Sequence, residues 1–152
     1  MNEYSIPAIE KLLRDYPFIS EDIDRLQKEI EDWQSKKNTM YGIKTAAPTG
    51  LPPSGEIQDP TYQAAVEIID KYQKEIDRLF DRIKTLFDNQ MTVNTLLMQL
   101  NRNEKHVIEA RYFHRPPVTW RRIAKELHYH RVTCNKIRTR ALKKMAKFKT
   151  PA

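Results

Sequence analysis

Apolar residues along this chain recur at spacings of three and four, and hardly anywhere alternate singly with polar ones, so the pattern predicts helices and not strands. The first stretch holds Ile9, Leu12, Leu13 and Tyr16; Ser5 is placed to cap it, Pro7 falls in its first turn and Pro17 interrupts it. Ser20 is the expected cap of a second helix. Glu21, Asp22 and Asp24 put negative charge at the positive end of that helix, and Ile23, Leu26, Ile30 and Trp33 form a narrow apolar seam lasting to about Lys37. A seam this narrow among charged neighbours needs a partner surface.

The pattern then lapses. Residues 38–58 carry Ala46, Ala47, Pro48, Thr49, Gly50, Leu51, Pro52, Pro53, Ser54 and Gly55, breakers without periodicity, which predict a linker or extended loop. Asp59 as cap and Pro60 as first helical residue restart order. A long seam follows at Ile69, Tyr72, Ile76, Leu79, Ile83, Leu86, Val93, Leu97 and Leu100, and Gln90 breaks its heptad register. An unbroken helix of this span would reach about 60 Å at ~1.5 Å per residue, and residues 88–92 are the expected place for a bend. The expectation is an antiparallel hairpin over residues 1–100, coiled-coil-like, whose seam serves either internal packing or a dimer interface.

From residue 101 the elements shorten. Asn101 with Glu104 three residues on makes a variant capping box, opening a helix with Val107, Ile108, the stem of Arg111, Tyr112 and Phe113 inward. Pro116 and Pro117 end it. Thr119 caps a helix from Trp120 to Leu127 with Trp120, Ile123, Ala124 and Leu127 inward, and His128-Tyr129-His130 turns into a last helix from Arg131 to about Phe148. Cys134, Ile137, Ala141, Leu142 and Met145 keep one face of that helix in the core, and small Ala124 suits a close crossing. This is the layout of a helix-turn-helix, and its outer face is left for a partner.

Charge sharpens the division. The net charge of +7 over 152 residues splits into 12 Lys/Arg against 17 Asp/Glu in residues 1–100, a net −5, and 15 against 3 in residues 101–152, a net +12. So dense a basic segment attracts polyphosphate through counterion release, which makes double-stranded DNA the expected partner. The single cysteine, Cys134, has no internal disulfide partner, and the start of the chain lacks a basic region joined to an apolar run. No membrane partner and a cytoplasmic location follow as expectations. With three glycines and abundant Glu, Lys, Arg, Leu and Ile, the fold class expected is all-α.

The run Ile123-Ala124-Lys125-Glu126-Leu127, continued through Arg131 to Ile137 and then Arg140-Ala141-Leu142-Lys143-Lys144-Met145, is similar to sigma-factor region four over roughly Arg102 to Lys147. With Val107-Ile108-Glu109-Ala110-Arg111-Tyr112-Phe113 ahead of it, the chain also resembles phage late transcriptional regulators of the ArpU and RinA type, which set an α-helical part before such a module. Carried over by position, the resemblance implies base contacts from Arg131, Val132, Thr133, Asn135 and Lys136, and backbone contacts from Arg121, Arg122, Lys125, Arg138 and Arg140. Asn pairs with adenine, Arg or Lys with guanine, and Val and Thr methyls meet the thymine methyl. His128 stands where the family has a turn glycine, so a left-handed or altered backbone is expected there, and His130 replaces a serine cap, its ring nitrogen being able to accept a cap bond. Lys143, Lys144, Lys147 and Lys149 read as a solvated last turn complementing the helix dipole.

Enzymatic patterns are lacking: no glycine-rich phosphate loop, nucleophile motif or paired carboxylates occur, and no catalytic residue or cofactor is expected. His128, His130 and Cys134 have zinc-ligand chemistry, but the register turns Cys134 inward, away from the histidines, so no metal site is expected. The function expected is a sequence-specific transcriptional regulator, a phage-encoded activator of late genes working with host RNA polymerase. The alternative is a small terminase subunit recognising DNA for packaging, with residues 60–100 as its homo-oligomer contact. A third reading gives the principal work to the helical hairpin as an interaction surface.

Overall fold

The computed structural model describes residues 5–45 and 60–148, of 43–45 the backbone only, and every regular element among them is helical. Helix α1 (Ile6–Asp15) begins where Ser5 Oγ accepts from the Ala8 N–H at 3.4 Å. A 3-10 turn (Tyr16–Phe18) follows and runs directly into α2 (Ile19–Thr45). Ser20 is therefore not a cap: the Ile19 N–H already bonds to the Tyr16 carbonyl with helical backbone angles, so no helix start remains for a side chain to close. Nor does α2 stop near Lys37. It continues to Thr45, because residues 38–45 contain no proline and one glycine, a cost of only about 1 kcal/mol in a helix. The rest of the expected loop, 46–58, and the expected Asp59 cap lie outside the described residues.

Helix α3 (Pro60–Met98) starts on the expected proline and passes through residues 88–92 without interruption. Weak helix formers there are held by what they bond and bury: Thr92 Oγ1 donates back to the Asp88 carbonyl at 2.9 Å, and Val93 is fully buried. Three shorter helices complete the chain: α4 (Arg102–Tyr112), α5 (Trp120–Leu127) and α6 (Arg131–Lys147).

Contacts divide the chain into two compact units, one from the described parts of Met1–Ser20 and Leu86–Ala152, the other from those of Glu21–Thr85. In the second, Ile23, Leu26 and Ile30 of α2 and Ala65, Ile69, Ile76, Leu79 and Ile83 of α3 are buried. The Trp33 and Tyr72 rings meet with centroids 5.3 Å apart, and Lys37 Nζ donates to Gln73 Oε1. The predicted seams thus find an apolar partner within the chain. Outward-facing ion pairs such as Arg78–Glu75 at 2.5 Å hold the Glu75 carboxyl below its ordinary range, but such solvated pairs stabilise little.

The first unit has α4 at its centre, with a different core on each side. Val107 and Ala110 pack with Ile123 of α5 and with Cys134 and Ile137 of α6. Ile108 and Tyr112 pack instead with Ile9 and Leu13 of α1, Val93, Leu96 and Leu97 of α3, and Ala141, Leu142 and Met145 of α6. Residues 101–152 therefore do not close the core around α4 and α6 by themselves; α1 and the end of α3 supply half of it. Polar bonds fix the same junction: Tyr112 donates to Glu10 at 2.8 Å, Tyr16 donates to Asn94 at 2.6 Å, and the Tyr16 ring stacks on Phe113 at 4.8 Å.

Candidate nucleic-acid interface

Local chemistry sets the direction of each helix here. Asn101 Oδ1 accepts from the Glu104 N–H at 2.8 Å while Glu104 Oε1 accepts from the Asn101 N–H, closing the capping box that starts α4. Thr119 Oγ1 accepts from the Arg122 N–H at 3.3 Å and starts α5. At the other end of α5, His128 has φ 59 and ψ 35, the left-handed conformation, and the Tyr129 N–H bonds to the Ala124 carbonyl at 3.1 Å. Of the two backbones expected at a position without glycine, left-handed or altered, the left-handed one is found. His130 holds extended backbone before α6 but makes no side-chain cap bond, so the expected ring-nitrogen cap is not formed.

Helix α6 is divided lengthwise. Cys134, Ile137, Ala141, Leu142 and Met145 are buried, whereas Arg131, Val132, Asn135, Lys136 and Arg140 are exposed, with Val132 at 67%. Arg121, Arg122 and Lys125 are exposed on α5. No acidic residue occurs from 127 to 148, so nothing on the outer face of α6 offsets its cations. The helix spans about 25 Å at ~1.5 Å per residue.

Thr133 and Arg138, both assigned to DNA by sequence, are only half-exposed. The Arg138 guanidinium lies 5.5 Å from the centre of the Trp120 ring, and its Nε is buried without a partner. Arg111 holds the same ring at 4.6 Å, itself anchored by donating Nη1 to the Val118 carbonyl at 2.9 Å. Arg122 is also engaged, donating Nε to Glu126 at 3.1 Å. Glu126 receives a second bond from His106 Nε2 at 2.9 Å; chiefly this bond, then Arg122, holds its carboxyl below the usual range. His128 and His130 are exposed while Cys134 is fully buried, where burial pushes its thiol up, so the three are not brought together as ligands.

The lysines at the end of α6 separate into two kinds. Lys136, Thr139, Arg140, Lys143, Lys144 and Lys147 border an open depression of about 530 Å³ along the helix. Lys144 is also paired, donating Nζ to Glu104 Oε1 at 2.9 Å, and Glu104 is 1% exposed. Its charge is thus spent on a buried carboxylate, whose other oxygen is buried without a partner. Lys143 carries no such bond among the described contacts and keeps its charge outward. Sequence reading treated the lysines as one group because their neighbours along the chain are alike; the partner of Lys144 lies 40 residues away. Trp120, which sequence reading placed in the core, also lines a depression of about 330 Å³ with Arg131, Val132 and Asn135. Its position at the first residue of α5, beside the start of α6, is the signal that could have found it.

A family model described as a protein of unknown function (DUF722) matches residues 6–147. No curated protein and no solved structure matches the chain.

Proposed function

We propose that this chain, which belongs to the family described as protein of unknown function (DUF722), binds double-stranded DNA in a sequence-specific manner through α5 and α6 and regulates transcription. The observation that carries the reading is the outer face of α6: Arg131, Val132, Asn135, Lys136, Arg140 and Lys143 are exposed together, with no acid among them, on a helix whose opposite face is fixed in a core. Arg131, Asn135 and Lys136 have the donor and acceptor sets that distinguish base pairs in the major groove, and Val132 adds an apolar contact. Arg121, Lys125, Arg140 and Lys143 supply phosphate contacts, which position the helix without specifying sequence. In this reading Arg138 and Lys144 hold the module together instead of touching DNA.

The similarity to sigma region four and to phage late regulators supports a role beside RNA polymerase, as an activator of late genes. Footprinting across the genome with and without RNA polymerase holoenzyme tests it. Sites next to promoters that strengthen when polymerase is present support the regulator; sites confined to a packaging locus and indifferent to polymerase contradict it. That second outcome belongs to the packaging reading. Phe87, Met91 and Met98, exposed at 46%, 66% and 81% along α3, lend it support as an apolar face free for assembly of several copies. A solution mass of about eight or more subunits would favour a closed ring.

A further inference from the structure

An open depression at the starts of α5 and α6 is lined by Trp120, Arg131, Val132 and Asn135, with a volume of about 330 Å³. Three features set it apart from the rest of the basic face. Val132, at 67% exposure, is the most exposed branched apolar side chain of α6, and it stands beside an indole in surroundings that are otherwise cationic. The indole meets two guanidinium groups, Arg111 at 4.6 Å and Arg138 at 5.5 Å, and Arg111 is tied to the Val118 carbonyl at 2.9 Å. Arg138 Nε is buried beside the ring without a hydrogen-bond partner, and the Arg138 charge also bears on Tyr112. A ring with two such cationic contacts is restrained in position.

We propose that this depression is a subsite for the C5-methyl edge of one thymine, with Trp120 as its floor, Val132 as its wall and Arg138 as a positioning residue for the ring. The inference rests on the DNA-reading role proposed above. Among the base edges in the major groove, the thymine methyl is the one apolar group, so an apolar recess on a groove-facing helix has one complementary occupant. Arg131 and Asn135 at the rim offer hydrogen bonds to neighbouring base edges. The missing acids over residues 127–148 make the surrounding field attractive to DNA and poor for an acid-seeking, cationic partner. The recess is far larger than a methyl group, which leaves room for the pyrimidine edge that carries it.

The test uses the full chain. Duplexes are selected from a random library by repeated binding, and each thymine of the best site is then replaced singly by deoxyuridine, which removes the methyl and nothing else. At one position the replacement should weaken wild-type binding about fourfold, the value of one methyl returned to water. In Val132→Ala, whose substitution lies outside the core, the same replacement should cost less than about twofold. With Trp33→Phe leaving Trp120 as the single indole, Trp120 emission should change more with the thymine duplex than with the deoxyuridine duplex. If a site is selected but every thymine is indifferent, or if Val132→Ala keeps the full penalty, the subsite is overturned while DNA reading stands. If selection enriches nothing, the DNA-reading role falls and the subsite with it.

Discussion

Replacing Lys144 by Met removes an ammonium and keeps most of the stem, which isolates the ion pair with Glu104. The bond is 2.9 Å long, Glu104 is 1% exposed and Lys144 is 45% exposed. Losing a hydrogen bond to a charged group costs about 1.5–3 kcal/mol, and stranding one partner of a fully buried pair about 3–5 kcal/mol. Because nearly half of Lys144 is in water, screening moves the expectation to the lower range, about 2 kcal/mol. Glu104 keeps its bond to the Asn101 N–H, so the start of α4 survives and the loss belongs to the long-range pair. The assay is urea unfolding followed by Trp120 fluorescence in a Trp33→Phe background, since Trp33 belongs to the other compact unit. Lys143→Met, one residue earlier and outward, is the control and should change stability by less than about 0.5 kcal/mol. Adding Glu104→Gln to Lys144→Met should recover part of the loss, because a neutral amide tolerates burial better than an unpaired carboxylate. Equal stability of Lys144→Met and Lys143→Met would refute the division of the lysines.

The same division predicts DNA behaviour in reverse: Lys143→Ala should reduce the slope of log affinity against log salt by about 1, whereas Lys144→Ala should leave the slope unchanged, as titrations at several salt concentrations would show. At the turn, His128 has φ 59, so His128→Gly should hold or raise stability by up to about 1 kcal/mol and His128→Val should lower it by about 1–2 kcal/mol in thermal melts. Tyr112 is pushed up from 10.0 to about 12, first by burial and then by its bond to Glu10. Its folded value lies above the unfolded one, so the stability it contributes is present below pH 10.0 and is lost as pH rises through about 12. Tyr112→Phe should flatten that alkaline limb, and an unchanged limb would assign it to other groups.

What the sequence shows well is local. Ser5, Asn101 with Glu104, and Thr119 announce helix starts because a capping side chain and the N–H it accepts from lie within three residues of each other. His128 was marked for unusual backbone by the resemblance, which sets a glycine at that place in the turn, and the structure gives it the left-handed form. The all-α class followed from few glycines, abundant helix formers and no alternating β-branched runs. Ser20 misled because a serine before acids looks the same whether the preceding backbone is extended or, as here, already turning as a 3-10 helix. The continuation of α2 to Thr45 was hidden because residues 38–45 lack an apolar period yet also lack a breaker.

Long-range choices were not legible. Nothing near Lys144 points to Glu104, and nothing near Arg138 says that its guanidinium lies over Trp120 and not outward. The same limit explains α1: its apolar face reads equally well against α2 or α3, and only the fold sets Ile9 and Leu13 against α4 and α6. Of the sequence-assigned contacts, Arg131, Val132, Asn135, Lys136, Arg121, Arg122, Lys125 and Arg140 are on the surface because helical period fixes which side of α5 and α6 is buried. Thr133 and Arg138 sit at the edge between the two sides, where period decides least.

The DNA-reading role proposed for the outer face of α6 can be tested on the protein itself. The most direct measurement compares the wild-type chain with Arg131→Ala, Asn135→Ala and Lys136→Ala combined, on the duplex selected by the wild type and on a scrambled duplex, at one fixed salt concentration. All three side chains are exposed, so the fold should persist. Wild type should prefer the selected duplex by about a thousandfold or more, and the triple variant should bind both duplexes alike, weakly and with strong salt dependence. A triple variant that keeps the wild-type preference and footprint would contradict it.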